Sequence, residues 1–170
     1  MSAREYLAGP YEAEPHLTGE RRGELIEEIE GLPGRVRELV AGLSTAQLDT
    51  KNKNWTIRQI VHHLADSHMH GLIRFRLALT EERPTIKPYD RSRWAELPDA
   101  KSAAVMLSVD LLEALHARWV TLLRAMAEAD FERTYFHPEY QQEFRLAEVL
   151  GLYAYHCRHH LGQIAWLLKK

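Results

Sequence analysis

The C-terminal segment from Leu146 to Lys170 constrains the fold of this chain more than any other part of the sequence. At about 100° per residue its apolar side chains fall on one narrow stripe, and this periodicity predicts an α-helix. The same stripe contains His156 and His160. Histidines four residues apart point the same way on a helix and can bind one metal ion together. The alternative is a pair of core histidines whose ring nitrogens are hydrogen-bonded, because a buried imidazole needs some polar partner.

Three more segments of the chain have helical periodicity. The first begins after an N-cap at Thr18 and continues through Pro33, where we expect a kink or a short break. The second extends from Thr56 to about Thr80, and the third begins near Ser102. Each of these segments has one apolar stripe, which must be buried against another element.

The connections between these helices complete the predicted fold. Residues 1–18 have no sustained period and predict an extended N-terminal arm. Prolines punctuate the long segment after the second helix, which indicates a crossover, and the segment from Phe131 to Phe144 predicts a small β-hairpin. The sequence therefore predicts one all-α domain over residues 1–170, a four-helix bundle with a long crossover after helix 2 and a hairpin before helix 4.

Composition and charge exclude several classes of function. The net charge is -2 and the basic residues are spread along the chain, which argues against a nucleic-acid partner. No apolar run approaches the roughly 20 residues that span a bilayer, and the N-terminus lacks the pattern of a signal peptide. A single cysteine, Cys157, does not form an internal disulfide. We therefore expect a cytoplasmic protein whose partner is a small-molecule substrate.

The second helix offers several candidates for a third metal ligand, namely His62, His63, His68 and His70. Periodicity favours His68, because it lies near the centre of the apolar stripe, whereas His63 lies about 120° away from that centre. We expect His62 and His70 to be in solvent. Metal sites in helix bundles use side chains that project inward from facing helices, so one of these histidines is expected to join the pair on the last helix.

Two segments of the chain carry a resemblance to a known family. They read WTIRQIVHHLADSH over residues 55–68 and YHCRHH over residues 155–160. Together they strongly resemble the YfiT-like branch of the DinB superfamily, and the resemblance covers nearly the whole chain. It implies a metal site formed by His63, His156 and His160, and it overrules the periodicity argument for the third ligand.

The chemistry of a three-histidine site follows from the charge of its ligands. Three neutral imidazoles leave a divalent ion its full charge and at least one open position, as in catalytic zinc sites. Such an ion activates water or a thiol, because it lowers the pKa of either group. Imidazole ligands suit zinc or nickel, and manganese, iron and cobalt are the alternative metals. We expect one divalent metal per subunit.

The resemblance leaves more than one function open. It implies a metal-dependent hydrolase in which activated water attacks a small substrate. Relatives in the superfamily resemble bacillithiol S-transferases and mycothiol-dependent isomerases, which implies the alternative of a thiol S-transferase with bacillithiol as cofactor. A third alternative is a non-catalytic metal-binding module, although an open coordination position argues against it. The catalytic residues stay unassigned.

The polar residues beside the predicted ligands have weaker claims to a role. Asp66 follows His63 by about one turn and could orient it or act as a base, although a solvated surface carboxylate is the simpler role. His159 lies about 60° from His156, close enough to compete as a ligand or to line a pocket. Cys157 points about 100° away from the ligand stripe and is expected to be a packing residue. The segment lacks the glutamate of the HExxH motif, which argues against a zinc protease.

Two expectations concern the surroundings of the site. His137 and Tyr140 lie in the predicted hairpin and could reach over the metal. Ile73 and Leu77 lie opposite the main apolar stripe of the second helix, where a single bundle would leave them uncovered. Together with the resemblance to YfiT-like proteins, this predicts a homodimer with two-fold symmetry.

Overall fold

Helices make up most of the chain in the computed structural model, which describes residues 11–14, 16–51 and 54–169. The elements are, in order, α1 (Gly19–Val40), α2 (Thr45–Leu48), α3 (Ile57–Thr80), α4 (Arg91–Trp94), α5 (Pro98–Ser102), α6 (Val105–Ala125), a 3₁₀ turn (Glu128–Glu132), β1 (Thr134–His137), β2 (Gln142–Arg145) and α7 (Leu146–Leu167). The four long helices and the small hairpin confirm the predicted fold class. Most of the predicted N-terminal arm lies outside the described residues.

The four long helices form a bundle in which chain neighbours are not always spatial neighbours. Helix α1 packs mainly against α6 and α7, and α3 packs against the same two helices. Helices α1 and α3 are therefore diagonal to each other, and so are α6 and α7. The predicted crossover connects α3 to the adjacent α6 and contains the short helices α4 and α5. No helix in the described part of the chain is long and apolar enough to cross a membrane.

Capping residues set the beginnings of the first two long helices. The side chain of Thr18 accepts a hydrogen bond from the backbone N–H of Arg21, as its predicted role as N-cap requires. Thr56 and Gln59 form a capping box, and α3 begins at Ile57, directly after Thr56. The third long helix begins at Val105, slightly later than expected, because residues 98–102 form the separate helix α5.

Helix α1 continues through Pro33, so the short break allowed for in the sequence does not occur. Proline has no N–H and leaves the carbonyl of the residue four positions earlier without its helical partner. That residue is Ile29, and Nδ1 of His116 on α6 donates to its oxygen at 2.6 Å. A side chain from another helix thus satisfies the carbonyl that Pro33 frees.

The hairpin is fastened to the crossover by backbone hydrogen bonds. Strands β1 and β2 pair antiparallel within the predicted segment. The N–H of Ile86 donates to the carbonyl of Phe136 at 3.0 Å, and the N–H of Phe136 donates to the carbonyl of Pro84 at 2.9 Å. These bonds hold together two connections that both border the cavity described below.

A glycine lets large aromatic side chains approach α3 at the centre of the bundle. A Cβ atom placed on Gly71 would lie 2.5 Å from Cη2 of Trp119 and 2.6 Å from Cζ of Tyr153. Both contacts are far shorter than van der Waals distances, so only glycine fits here. Both rings also contact His68, and together they close the core around it.

Candidate metal centre

The structure brings His63 on α3 together with His156 and His160 on α7. Each residue offers one ring nitrogen, and the three nitrogens lie within 4.8 Å of one another. Nε2 of His63 is 3.2 Å from Nε2 of His156. Tetrahedral zinc with Zn–N distances of 2.0–2.1 Å would hold its nitrogens about 3.3 Å apart. The arrangement therefore fits a metal ion, and the predicted ligand role of these three histidines is compatible with their geometry.

Burial keeps the three rings neutral, as metal binding requires. Desolvation, with smaller effects of the charges on Arg91 and His159, lowers the pKa of His63 to about 3. Desolvation also holds the pKa of His156 and of His160 well below the usual value, and neighbouring histidines add to this effect. Neutral rings can direct lone pairs at one point, where a proton or a cation is needed to offset their repulsion.

A chain of hydrogen bonds sets the orientation of His156. A carbonyl oxygen only accepts, so the bond to Ile29 places the ring proton of His116 on Nδ1. Burial lowers the pKa of His116 to about 4, so its Nε2 is unprotonated and accepts from Nδ1 of His68 at 2.9 Å. Nε2 of His68 in turn accepts from Nδ1 of His156 at 3.1 Å. His156 is left with its lone pair on Nε2, the atom that faces His63.

A similar contact orients the second histidine of α7. Nδ1 of His160 donates to Oε1 of Gln163 at 2.9 Å, which leaves the lone pair on Nε2. The ring of Trp55 packs against His63, with centroids 4.6 Å apart. Groups that hold the far side of a ligating imidazole fix its tautomer and ring orientation, and they typically strengthen metal binding.

The structure places His68 behind the cluster, in spite of its central position on the apolar stripe. His68 is fully buried, and both of its ring nitrogens are engaged by other histidines. Periodicity selected it because one apolar stripe was taken as the inward face. Every residue of α3 from Ile57 to Ala65 is buried, so this half of the helix has a second inward face, on which His63 lies.

Two other histidines of α3 are less accessible than expected. The prediction that His62 and His70 are in solvent is wrong. His62 is only 8% exposed, and its Nδ1 is hydrogen-bonded to Oγ of Ser108 at 2.7 Å. His70 is half-buried and stacks on the ring of Tyr89 with centroids 4.2 Å apart. The crossover and α6 cover this side of α3, which the sequence pattern left exposed.

The remaining predicted candidates lie around the cluster. Asp66 is half-buried, and burial followed by the charge of Asp99 raises its pKa to about 6, but it is not among the residues that line the adjoining cavity. His159 is half-buried and lies outside the group of three nitrogens, with its ring 5.0 Å from that of His160. Cys157 is buried, which raises the pKa of its thiol and confirms it as a packing residue.

A cavity of about 860 Å³ opens beside the histidines. His63 and His156 border it, and His137 and Tyr140 of the hairpin line it as well. Sequence reasoning missed Arg74, which lines the same cavity. The signal was present, because Arg74 follows His63 by 11 residues, close to three full turns, and so shares its face of α3.

Comparisons with known proteins agree with this architecture. The family model of the DinB superfamily matches residues 28–164. "Putative metal-dependent hydrolase YfiT" of Bacillus subtilis (strain 168) is 41% identical over 167 residues, covering 97% of this chain and 94% of that protein. "Putative metal-dependent hydrolase" of Bacillus cereus (strain 03BB102) is 46% identical over 172 residues, covering 100% of this chain and 98% of that protein.

A solved structure also resembles the chain closely. It is described as "YfiT from Bacillus subtilis is a probable metal-dependent hydrolase with an unusual four-helix bundle topology". It superimposes with a TM-score of 0.93 at 41% sequence identity and covers 97% of this chain and 95% of that chain. The chain therefore belongs to the DinB superfamily and, within it, to the YfiT-like branch.

Proposed function

We propose that this protein is a hydrolase that depends on one divalent metal, zinc or nickel, held by His63, His156 and His160. The observation that carries the proposal is the convergence of three neutral imidazole nitrogens within 4.8 Å beside a cavity large enough for a small molecule. An ion at this position would polarise a substrate carbonyl and lower the pKa of a water or a thiol. The names of the relatives support a metal-dependent reaction.

His137 is the group in the cavity best suited to accept a proton. It is 4% exposed, and burial, followed by the charge of Arg74, lowers its pKa, so its ring is neutral near pH 7. Its Nδ1 is buried without a hydrogen-bond partner in the described part of the chain, so this nitrogen is closed to solvent. The residue lines the cavity, and a neutral imidazole there can act as a general base through its other nitrogen, Nε2. We assign His137 the role of accepting a proton from the nucleophile.

A thiol S-transferase is the second candidate, and the lining of the cavity favours it. Arg74 and Arg91 contribute positive charge to this lining, and Asp90 and Glu139 contribute negative charge. A cofactor such as bacillithiol carries sugar and acid groups, which need polar partners of this kind. The same three histidines would then hold a metal that activates a thiol in place of water.

An activity screen of metal-loaded protein separates these functions. One arm measures hydrolysis of a panel of esters and amides, and the other measures loss of an electrophile with and without bacillithiol. Hydrolysis that is absent in His63→Ala and reduced in His137→Gln supports the hydrolase. Consumption of the electrophile only when bacillithiol is present contradicts the hydrolase and supports the transferase. Inactivity in both arms, with metal bound, leaves the metal-binding module.

The proposed assembly is a homodimer. Ile73 is 46% exposed, as expected from its position opposite the main stripe, whereas Leu77 is partly covered by the core. Leu107 and Leu111 on α6 are 65% and 46% exposed and add apolar surface. Sedimentation at micromolar protein should give the mass of two chains, and the mass of one chain would contradict the dimer.

A further inference from the structure

Among the described residues, no acidic side chain forms an ion pair with Arg74. Its Nε is buried and has no hydrogen-bond partner within residues 11–14, 16–51 and 54–169. An arginine guanidinium is a cation that only donates hydrogen bonds. A partly buried charge without a counter-ion costs free energy, so an anion that binds here would lower that cost.

Tyrosine side chains surround Arg74 without neutralising it. The guanidinium carbon lies 6.0 Å from the ring centroid of Tyr135, and the hydroxyl of the neighbouring Tyr153 donates to the carbonyl of Ser67 at 3.0 Å. Burial raises the pKa of both tyrosines, and it raises that of the nearby Tyr89 to about 12, so all three are uncharged. These neighbours therefore supply no negative charge to the guanidinium.

The carboxylates of the cavity form no ion pair with Arg74 in the described part of the chain. Asp90 and Glu139 line the same cavity, but both are exposed to solvent. Asp90 caps α4 and accepts the backbone N–H groups of Ser92 and Arg93. The positive end of the cavity therefore remains available to a ligand.

The position of Arg74 on α3 sets it apart from the histidine cluster. Eleven residues correspond to about 16 Å along the helix axis, and Ser67 lies on the same face between Arg74 and His63. Side chains on a helix lean toward its N-terminus, and for Arg74 that is the direction of His63. The cavity follows this face of α3, with the cluster toward one end and the cation toward the other.

We propose that Arg74 binds a carboxylate group of the substrate while the reacting group lies at the histidine cluster. The substrate is then a carboxylic acid whose reacting group is several bonds away from the carboxylate. The planar fork of arginine matches a carboxylate, and a single guanidinium balances its single charge. The position of the reacting group rests on the proposed function, whereas binding of the carboxylate by Arg74 does not.

Binding to metal-free protein tests the arginine without the chemistry. Dialysis against a chelator removes any metal that would compete for the carboxylate, and the Nε–H resonance of Arg74 is assigned by its absence in Arg74→Lys. Titration with 4-phenylbutanoate should shift this resonance saturably, and the matched neutral compound 4-phenylbutanamide should bind roughly tenfold more weakly or worse. Equal affinity of the amide, or an Arg74 resonance that does not move, would overturn the proposal.

Two variants and a second anion sharpen the test. Arg74→Gln should weaken binding of 4-phenylbutanoate roughly tenfold or more, whereas Arg76→Gln, at an exposed arginine of α3 outside the cavity lining, should change it within about threefold. Equal losses in both variants would contradict a specific role for Arg74. Tighter binding of 3-phenylpropyl phosphate than of 4-phenylbutanoate would contradict a carboxylate site. If Arg74→Gln fails to fold, Arg74→Lys and the wild-type titration decide.

The two proposals fail in different ways. A chain that binds 4-phenylbutanoate through Arg74 but hydrolyses no ester or amide contradicts the hydrolase alone. A chain that hydrolyses neutral esters and binds 4-phenylbutanoate no better than its amide contradicts the carboxylate site alone.

Discussion

Two groups of buried histidines meet at His156, and they differ in what their ring nitrogens face. In the closed pair, His68 and His116, every ring nitrogen is hydrogen-bonded, and the chain of bonds ends at a carbonyl. In the open cluster, His63, His156 and His160, ring nitrogens converge beside a cavity. Both groups are largely buried, so burial alone does not tell a structural histidine from a candidate ligand. The hydrogen-bond partner of each ring nitrogen distinguishes a structural histidine from a candidate ligand.

Removing a member of the open cluster should have the largest effect. His63→Ala and His160→Ala each leave two imidazoles, and after dialysis in zinc that saturates the wild type each should retain roughly a tenth of a zinc per chain or less. His159→Ala, at the neighbouring half-buried histidine, is the matched control and should bind normally. Elemental analysis of the purified proteins provides the measurement. Full zinc content in His63→Ala would contradict the assignment.

The closed pair should make stability depend on pH. The pKa of His116 is about 4 in the folded protein, and that of an unfolded histidine is about 6.5. Between these values the unfolded chain binds more protons at this residue, so the contribution of His116 to stability is complete above about pH 6.5 and is smaller by about 3 kcal/mol at pH 4. Urea unfolding of metal-free protein measures this dependence.

The control for that dependence is His116→Asn, whose amide can still donate to Ile29 but does not titrate. Its stability should fall less steeply between pH 6.5 and 4, because unfolding of the variant takes up as much as one proton fewer. Parallel curves for the wild type and the variant would show that His116 is not held neutral by the fold.

Removing the hydrogen bond between the two groups should weaken zinc binding without abolishing it. His68→Leu removes the acceptor for Nδ1 of His156, and zinc affinity should fall roughly 10- to 100-fold. His68→Gln can still offer an acceptor oxygen and should lose much less. Competition with a chromophoric chelator measures both affinities. Unchanged affinity in His68→Leu would mean that the closed pair only fills the core.

The smallest effect is expected at the far end of the chain of bonds. Pro33→Ala supplies an N–H that competes with His116 for the carbonyl of Ile29, so zinc affinity should fall less than in His68→Leu. Gly34→Ala is the control, because it alters the same turn of α1 at an exposed position with open space around it. Equal zinc affinity in the two variants would remove Pro33 from the account.

The sequence predicted the elements of this fold better than the faces they present. The apolar period of 3.6 residues located the four long helices, and the Thr56 capping pattern placed the start of α3 within one residue. The pair His156 and His160 was visible because both histidines lie on one helix. Periodicity did not decide between His63 and His68. Helix α3 is buried on two faces, and a single helical stripe describes only one of them.

Contacts between distant segments account for what the sequence did not show. The carbonyl freed by Pro33 meets His116 across 87 positions of sequence. Helical periodicity does not show which group His116 contacts. Arg74 shares a helical face with His63, yet the other residues that line its cavity come from the crossover, the hairpin and α7.

Nitrogen NMR of the histidine rings during a zinc titration tests the central claim most directly. The account predicts that one equivalent of zinc shifts Nε2 of His156 and of His160 and a ring nitrogen of His63. Nδ1 of His156 should keep its proton, and the tautomers of His68 and His116 should be the same before and after zinc. Zinc bound through Nδ1 of His156, or through either nitrogen of His68, would contradict the separation of the open cluster from the closed pair.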